Sequence, residues 1–400
     1  MTGTTADPTP PLAGLRVVEF GQYIAVPAAG QLLRDLGAEV IKVEAAGGDP
    51  ARHAGWAQDE FGPMFAPYNR GKRSVVLDLR STEGRDTAFQ LAIGADVVLQ
   101  NARPGTMARA GIAPEQLRAA CPRLVVATVT GYGVGSAFAS RSGLDIAAQA
   151  ESGMMSINGP AGASPTRVGF AVVDVMTSQV LANAVLAALV RRGIHGEGAS
   201  IAISLLDVAT ASMTYPWAEY ALLDRMPIRS GNGQPTSAPA ADVIATRDGA
   251  VVISAYEDAH FCRLADAVGK SQLATDPRFL TNASRVAHRK PLLDALQEAF
   301  ATFNTQDLCE LLGKAGVVVA AVRNFDQVRT GANGLSPGLF LKVESPTKGT
   351  FELPGSPCRM DGQAAAPTSL PGIGEHTAQV LAELAAKSET QLPRGNATAR

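Results

Sequence analysis

Residues 15–44 read LRVVEFGQYIAVPAAGQLLRDLGAEVIKVE. Arg16–Phe20 (RVVEF) is a short strand by its β-branched run. From Pro27 onward Leu32, Leu33 and Leu36 recur at helical spacing, and Gly37 stops the helix. Glu39–Glu44 (EVIKVE) is a second strand. A strand, a helix and a strand within about 30 residues make one parallel crossover unit. The pattern then repeats with SVVLDL at 74–79, a helix over 83–94 and DVVL at 96–99. A short helix over 114–120 and LVVATV at 124–129 follow. Alternation of this kind predicts an α/β fold with a mostly parallel, Rossmann-like sheet covered on both faces.

Further along, a long apolar helix over 175–192 ends in Arg191-Arg192-Gly193, a basic last turn followed by a glycine stop. A strand from Ala199 and another helix complete a large domain over 12–228. Composition changes at RSGNGQPTSAP, 229–239, a Gly/Ser/Pro loop. A smaller α+β domain is expected over 229–325, starting with two strands hinged on Asp248-Gly249. Residues 326–400 are read as a Pro/Gly-rich return segment and a C-terminal helix packing on the large domain, and residues 1–11 as a flexible N-terminus. No internal repeat is visible.

The chain has 400 residues, 46% of them hydrophobic and 18% charged, enough to bury one large or two ordinary cores. Its formal net charge of −2 argues against nucleic acid as a partner. Cys121, Cys262, Cys309 and Cys358 are far apart, with no metal-ligand spacing, so neither a metal site nor a disulfide framework is expected. The N-terminus lacks the basic and apolar segments of a signal peptide, and the apolar run 180–190 is too short to span a bilayer. A soluble, cytoplasmic protein without membrane attachment is expected.

A parallel α/β start invites a dinucleotide reading, but GQYIAVP after the first strand has no G-x-G-x-x-G. Neither a GxSxG elbow nor a P-loop is present. Two basic stretches stand out: Asn69-Arg70-Gly71-Lys72-Arg73 before the third strand, and Asn101-Ala102-Arg103-Pro104-Gly105 after the fourth, with Arg109 beyond. Loops at strand ends are where open α/β sheets take ligands, so these cations suit a phosphorylated cofactor. They also suit an ordinary solvated surface. Asp174 stands out in FAVVDVMTS, just before the long helix. Two readings are open: a carboxylate capping the helix, or a nucleophile kept ionised by the helix start and partly desolvated by Phe170, Val172 and Val173.

Several stretches together carry a resemblance. They are PLAGLRVVEFGQYIAVP, LRDLGAEVIKVE with GDPAR, YNRGKRSVVLDLR, NARPG, SGLDIAAQAESGMMSINGP, PTRVGFAVVDVMTS and GIGEHTAQVL. In that order the chain resembles, from about residue 12 to 384, the class III CoA-transferases. This superfamily includes formyl-CoA transferase, carnitine CoA-transferase and the α-methylacyl-CoA racemases. The resemblance implies that coenzyme A, as acyl-CoA, is the cofactor and that Asp174 is the nucleophile. It implies CoA contacts from Ile24, Ala25, Leu77, Asp78, Arg80, Asn101, Ala102, Arg103, Arg109 and Arg141. Asp145 matches an acidic position beside the nucleophile. Asn232 and Gly233 fall in a Gly-rich loop, 231–234, that covers the reaction centre in the formyl-CoA enzyme and whose N–H groups suit an oxyanion. This chain has only two glycines there, and Ala45 stands where that enzyme has an arginine.

Racemases of the superfamily carry a histidine directly after the glycine matching Gly143, whereas here the residue is Leu144. Leucine moves no proton, and inversion at an α-carbon needs two acid/base groups, so the transferase branch is favoured over an acyl-CoA racemase. The resemblance then implies CoA transfer from a donor such as succinyl-CoA to a free carboxylic acid through aspartyl anhydride and aspartyl-CoA thioester intermediates. It also implies an interlocked homodimer.

Overall fold

The computed structural model describes residues 9–235, 237–331, 334–361 and 368–391. Its main sheet has six parallel strands: β1 (Arg16–Phe20), β2 (Glu39–Glu44), β3 (Arg73–Val76), β4 (Val97–Gln100), β5 (Val125–Thr130) and β6 (Ala199–Ser204). They lie in the order β3-β2-β1-β4-β5-β6. Successive residues feed opposite faces, as a pleated strand requires. Val97, Leu99, Val125 and Ala127 join one buried cluster with Leu33, Leu181 and Val185, while Val98 and Val126 join another with Ile41, Leu91 and Leu117. Both faces are therefore covered, which is why the strands read as nearly unbroken apolar runs.

The long helix runs Val172–His195, 24 residues, ending at Gly196 in a left-handed conformation. It starts three residues earlier than the sequence pattern suggests. By length and composition it is apolar enough to cross a membrane. One face packs on the sheet through Val173, Leu181 and Val185, each 0% exposed, whereas Val190 and Ile194 on the other are 62% and 70% exposed.

The C-terminal return seals the open edge of the sheet. Beside β3, His376 N donates to Ser74 O (2.9 Å), Val76 N to Thr377 Oγ1 (3.0 Å) and Gly374 N to Ser74 Oγ (2.8 Å). Arg73 reaches Glu383 on the final helix, Thr377–Gln391 (2.7 Å). An edge strand covered in this way offers few groups for stray pairing. The segment 337–371 is more than a crossing. β10 (Phe340–Ser345) and β11 (Gly349–Pro354) form an antiparallel hairpin, and β12 (Thr368–Ser369) pairs beside β10.

The described residues fall into two compact units. The larger takes those of 1–154, 168–214 and 335–400; the smaller takes 155–167 and the described residues of 215–334. The smaller unit thus reaches beyond the loop at 229. Arg229 donates to Ser156 O (2.9 Å) and Gly231 N to Gly159 O (3.1 Å), which ties 155–167 to that loop. In it, β7 (Ala241–Ala245), β8 (Ala250–Ser254) and β9 (Val318–Ala321) form an antiparallel sheet. Val251 and Ile253 face a helical layer built on Phe261, Leu264, Leu296 and Phe300.

Candidate active site

The strand order reverses between β1 and β4, and the loops leaving their carboxyl ends part there. That is the position at which open α/β sheets bind ligands. A cavity of about 410 Å³ opens at this point, walled by the turn after β1 (Gln22 to Ala25), by Asn101 to Pro104 after β4, and by Arg141 to Leu144. Asp174, Leu205 and the end of the fifth strand at Val129 and Thr130 also line it. A second cavity, of about 670 Å³, shares Gln22, Asn101, Ala102 and Arg103 with the first and continues over Ala45 to Gly47 and Leu77 to Arg80. The two form one groove across the strand ends.

Asp174 enters the groove from the first turn of the long helix. Its side chain does not cap that helix, whose N-cap is Ala171. The cap comes from a distance. Asp145 Oδ1 accepts from Val173 N (2.7 Å) and Asp174 N (3.3 Å), and Oδ2 accepts from Gln149 Nε2 (2.6 Å). Gln149 Oε1 in turn accepts from Val168 N (2.9 Å), so the approach to the helix is held as well. The capping reading of Asp174 is thereby corrected: Asp145 already satisfies the donors, and the Asp174 carboxyl is left for the cavity.

Burial, and secondarily the Asp145 carboxylate, push the Asp174 carboxyl up to about 7. Desolvation, the larger cause, works against the ionised form that the helix start is expected to favour. A carboxylate that is costly to bury is also a more reactive nucleophile, and perturbation of this size concentrates at functional sites. Burial and then the Asp174 charge also raise the Tyr68 phenol, which places a tyrosine within electrostatic reach of the carboxylate. The sequence signalled nothing about Tyr68, because PYNRGKR draws attention through its cations.

On the far wall Arg141 pairs with Glu151 (2.6 Å) and lies over the rings of Tyr132 and Phe138, 4.9 and 4.5 Å from their centroids. Gly131 and Gly143 let this wall close: a Cβ on Gly143 would sit 2.5 Å from Gly131 Cα. Leu144 is 62% exposed and lines the cavity, so no proton carrier occupies that position.

Of the residues named from sequence, Ile24, Ala25, Asn101, Ala102, Arg103, Arg141 and Asp174 line the first cavity, and Leu77, Asp78 and Arg80 the second. Asp145 lies behind Asp174. Arg109 turns back onto Thr106 Oγ1 (3.2 Å) and lines neither cavity. Asn232 and Gly233 belong to the smaller unit, where Gly233 packs against the Arg289–Asp242 ion pair. Gln22 and Tyr23 line the groove without having been singled out.

The model of CoA-transferase family III matches residues 12–377. The chain is 34% identical to "Succinate--glutarate CoA-transferase" of Agrobacterium fabrum, over 96% of this chain and 98% of that one. It is 30% identical to "Succinyl-CoA:glutarate CoA-transferase" of Homo sapiens, over 94% and 86%. A crystal structure of a CAIB/BAIF family protein from Brucella suis superposes with a TM-score of 0.83 at 32% identity, covering 94% of this chain and all of that one.

Proposed function

Since the chain belongs to CoA-transferase family III, we propose that it moves CoA from a donor acyl-CoA, succinyl-CoA first among candidates, to an acceptor carboxylic acid, with Asp174 as nucleophile. One observation carries this: a carboxyl pushed up to about 7 stands in a cavity continuous with a second one flanked by Arg103 and Arg80. The nucleotide of CoA fits the second cavity and the thioester the first. Named relatives that take succinyl-CoA support that donor.

In the proposed sequence an oxygen of Asp174 attacks the donor thioester carbonyl. The carbon–sulfur bond breaks, giving a mixed anhydride and CoA thiolate. The thiolate attacks the Asp174 carbonyl of the anhydride, releasing the donor acid as carboxylate and leaving an aspartyl-CoA thioester. The acceptor carboxylate attacks that thioester, and the thiolate then takes the acceptor acyl group, regenerating the Asp174 carboxylate. Thioester energy is kept at every step. Racemisation is disfavoured because Leu144 holds no proton.

The test is incubation with succinyl-CoA and a panel of carboxylic acids. A new acyl-CoA is expected for at least one acid. Loss of an α-deuteron from a branched acyl-CoA without acyl exchange would favour the racemase reading instead.

Arg103 borders both cavities. Arg103→Ala should therefore weaken CoA binding about tenfold, and wild-type affinity should fall with rising salt, as calorimetry would read. Arg109→Ala should leave affinity nearly unchanged, since that guanidinium turns back onto Thr106.

A homodimer is part of the same reading. Helix Thr214–Leu223 buries no residue, and its Tyr215, Trp217 and Leu222 are 65%, 46% and 81% exposed. A second copy of the chain would cover such surface. If the two chains interlock, sedimentation at nanomolar concentration should find dimer only, because separation requires unthreading. A reversible monomer peak would sink the interlocked form.

A further inference from the structure

Behind the wall of the first cavity lies a group of charges that the chemistry above does not use. Glu19 and Lys42 are each 0% exposed and Asp49 and Lys72 only 2%. Lys72 Nζ donates to Glu19 Oε2 (2.7 Å), Pro27 O (2.8 Å) and Asn69 Oδ1 (3.0 Å). Lys42 Nζ donates to Glu19 Oε1 (3.1 Å) and to Gly21 O (2.7 Å), and it lies 2.8 Å from Asp49 Oδ2 in an ion pair. Asp49 Oδ1 accepts from Tyr23 N (3.2 Å) and Ala51 N (2.9 Å), while Glu44 Oε2 accepts from Asp49 N (2.8 Å).

All of this converges on one turn. Gly21 is held through its carbonyl by Lys42 and Tyr23 through its N–H by Asp49. Between them, Gln22 exchanges two bonds of 2.9 Å with Asn101. The turn is strained: Tyr23 has φ of +63°, a left-handed conformation that bulky side chains avoid. Stability alone would favour apolar residues over buried ions. The strained residue also lines the cavity that holds Asp174.

We propose that Lys42 and Asp49 are positioning residues: without touching substrate, they clamp the 21–23 turn so that Tyr23 and Ile24 form a fixed wall of the Asp174 cavity. The inference rests on the CoA-transfer reading for its catalytic consequence, though not for the clamp itself. In Asp49→Ala, Tyr23 N loses its acceptor and the turn relaxes toward ordinary backbone angles. The expected result is a fall in kcat of about thirty- to a hundredfold, with KM for the donor acyl-CoA changed less than about threefold.

Glycine occupies the left-handed region without steric cost, so a Tyr23→Gly background should need the clamp less. The two substitutions should be non-additive, Asp49→Ala costing less kcat in Tyr23→Gly than in wild type. Additive effects would overturn the proposal. Should Asp49→Ala not fold, Asp49→Asn, which keeps an acceptor for Tyr23 N but turns an amide donor toward Lys42 Nζ and so loses the ion pair, serves in the same cycle with a smaller expected loss. A second readout needs no turnover. Amide hydrogen exchange over 21–25 should quicken at least about tenfold in the variant while β5 stays protected; unchanged exchange would overturn the clamp. Absence of acyl exchange in wild type would instead overturn the function reading alone.

Discussion

Asp174→Asn should fold as well as the wild type, or better, and lose at least about three orders of magnitude in CoA-transfer rate. An amide oxygen is a poor nucleophile and cannot form the anhydride, so chemistry stops at the first step. The structure removes the competing explanation. Because Ala171 stands at the N-cap and Asp145 accepts from the first free N–H groups, substitution at 174 takes no cap away.

The stability arm has a definite sign. Asp174 titrates near 7 when folded, well above its value of 3.8 in an unfolded chain. The native state therefore binds the extra proton between those limits, and the stability it lends is lost as pH rises through about 7. Above that pH the wild type buries a charge that Asn does not. At pH 8 thermal unfolding should find the variant more stable by roughly 1 kcal/mol or more. Wild-type kcat/KM should rise through about pH 7 for the same reason, since only the ionised carboxylate attacks. Hydroxylamine added to wild type with donor alone should trap a hydroxamate at Asp174 and nothing in Asp174→Asn. Near-normal turnover in a well-folded variant would end the nucleophile reading.

The parallel sheet was legible because its information is local. Strands buried on both faces read as VVEF, VIKV and VVAT, and helices between them carry their own stops. The hairpin 340–354 carried a comparable signal in FLKVES and GTFELP, which alternate about a PTKG turn, but the surrounding prolines and glycines suggested a crossing. The site divides along the same line. Asn101 and Arg103 are legible because they follow a parallel strand, where open α/β sheets take ligands. Tyr23 is not, since its contribution is a backbone angle set by Asp49, 26 residues away. The acceptor that caps the long helix is hidden from the sequence for the same reason: Asp145 precedes Val173, whose N–H it takes, by 28 residues, and only the folded chain brings it there. Arg109, one helical turn further on, lines neither cavity and bonds Thr106 instead, a contact that spacing in the sequence does not reveal.

Asp145 makes the last argument, because one side chain does two separable things: it accepts from the helix start, and its charge helps raise Asp174. Asp145→Ala removes both. Val173 N, Asp174 N and Gln149 Nε2 lose their partner, the first turn of the helix loosens, and kcat should fall about a hundredfold through misplacement of the nucleophile. Asp145→Asn keeps an acceptor for the two N–H groups but not the charge. Its loss of kcat at pH 8 should be smaller, though not absent. The new amide meets the Gln149 amide donor to donor, and Gln149 can turn only by giving up Val168 N. Removal of the charge leaves burial as the remaining cause of the raised Asp174 value, so the acid limb of kcat/KM should move to lower pH in Asp145→Asn. A pH profile of this variant beside the wild type reads that directly. A limb that stays in place while kcat falls would assign Asp145 to holding the helix start alone and leave the reactivity of Asp174 to desolvation.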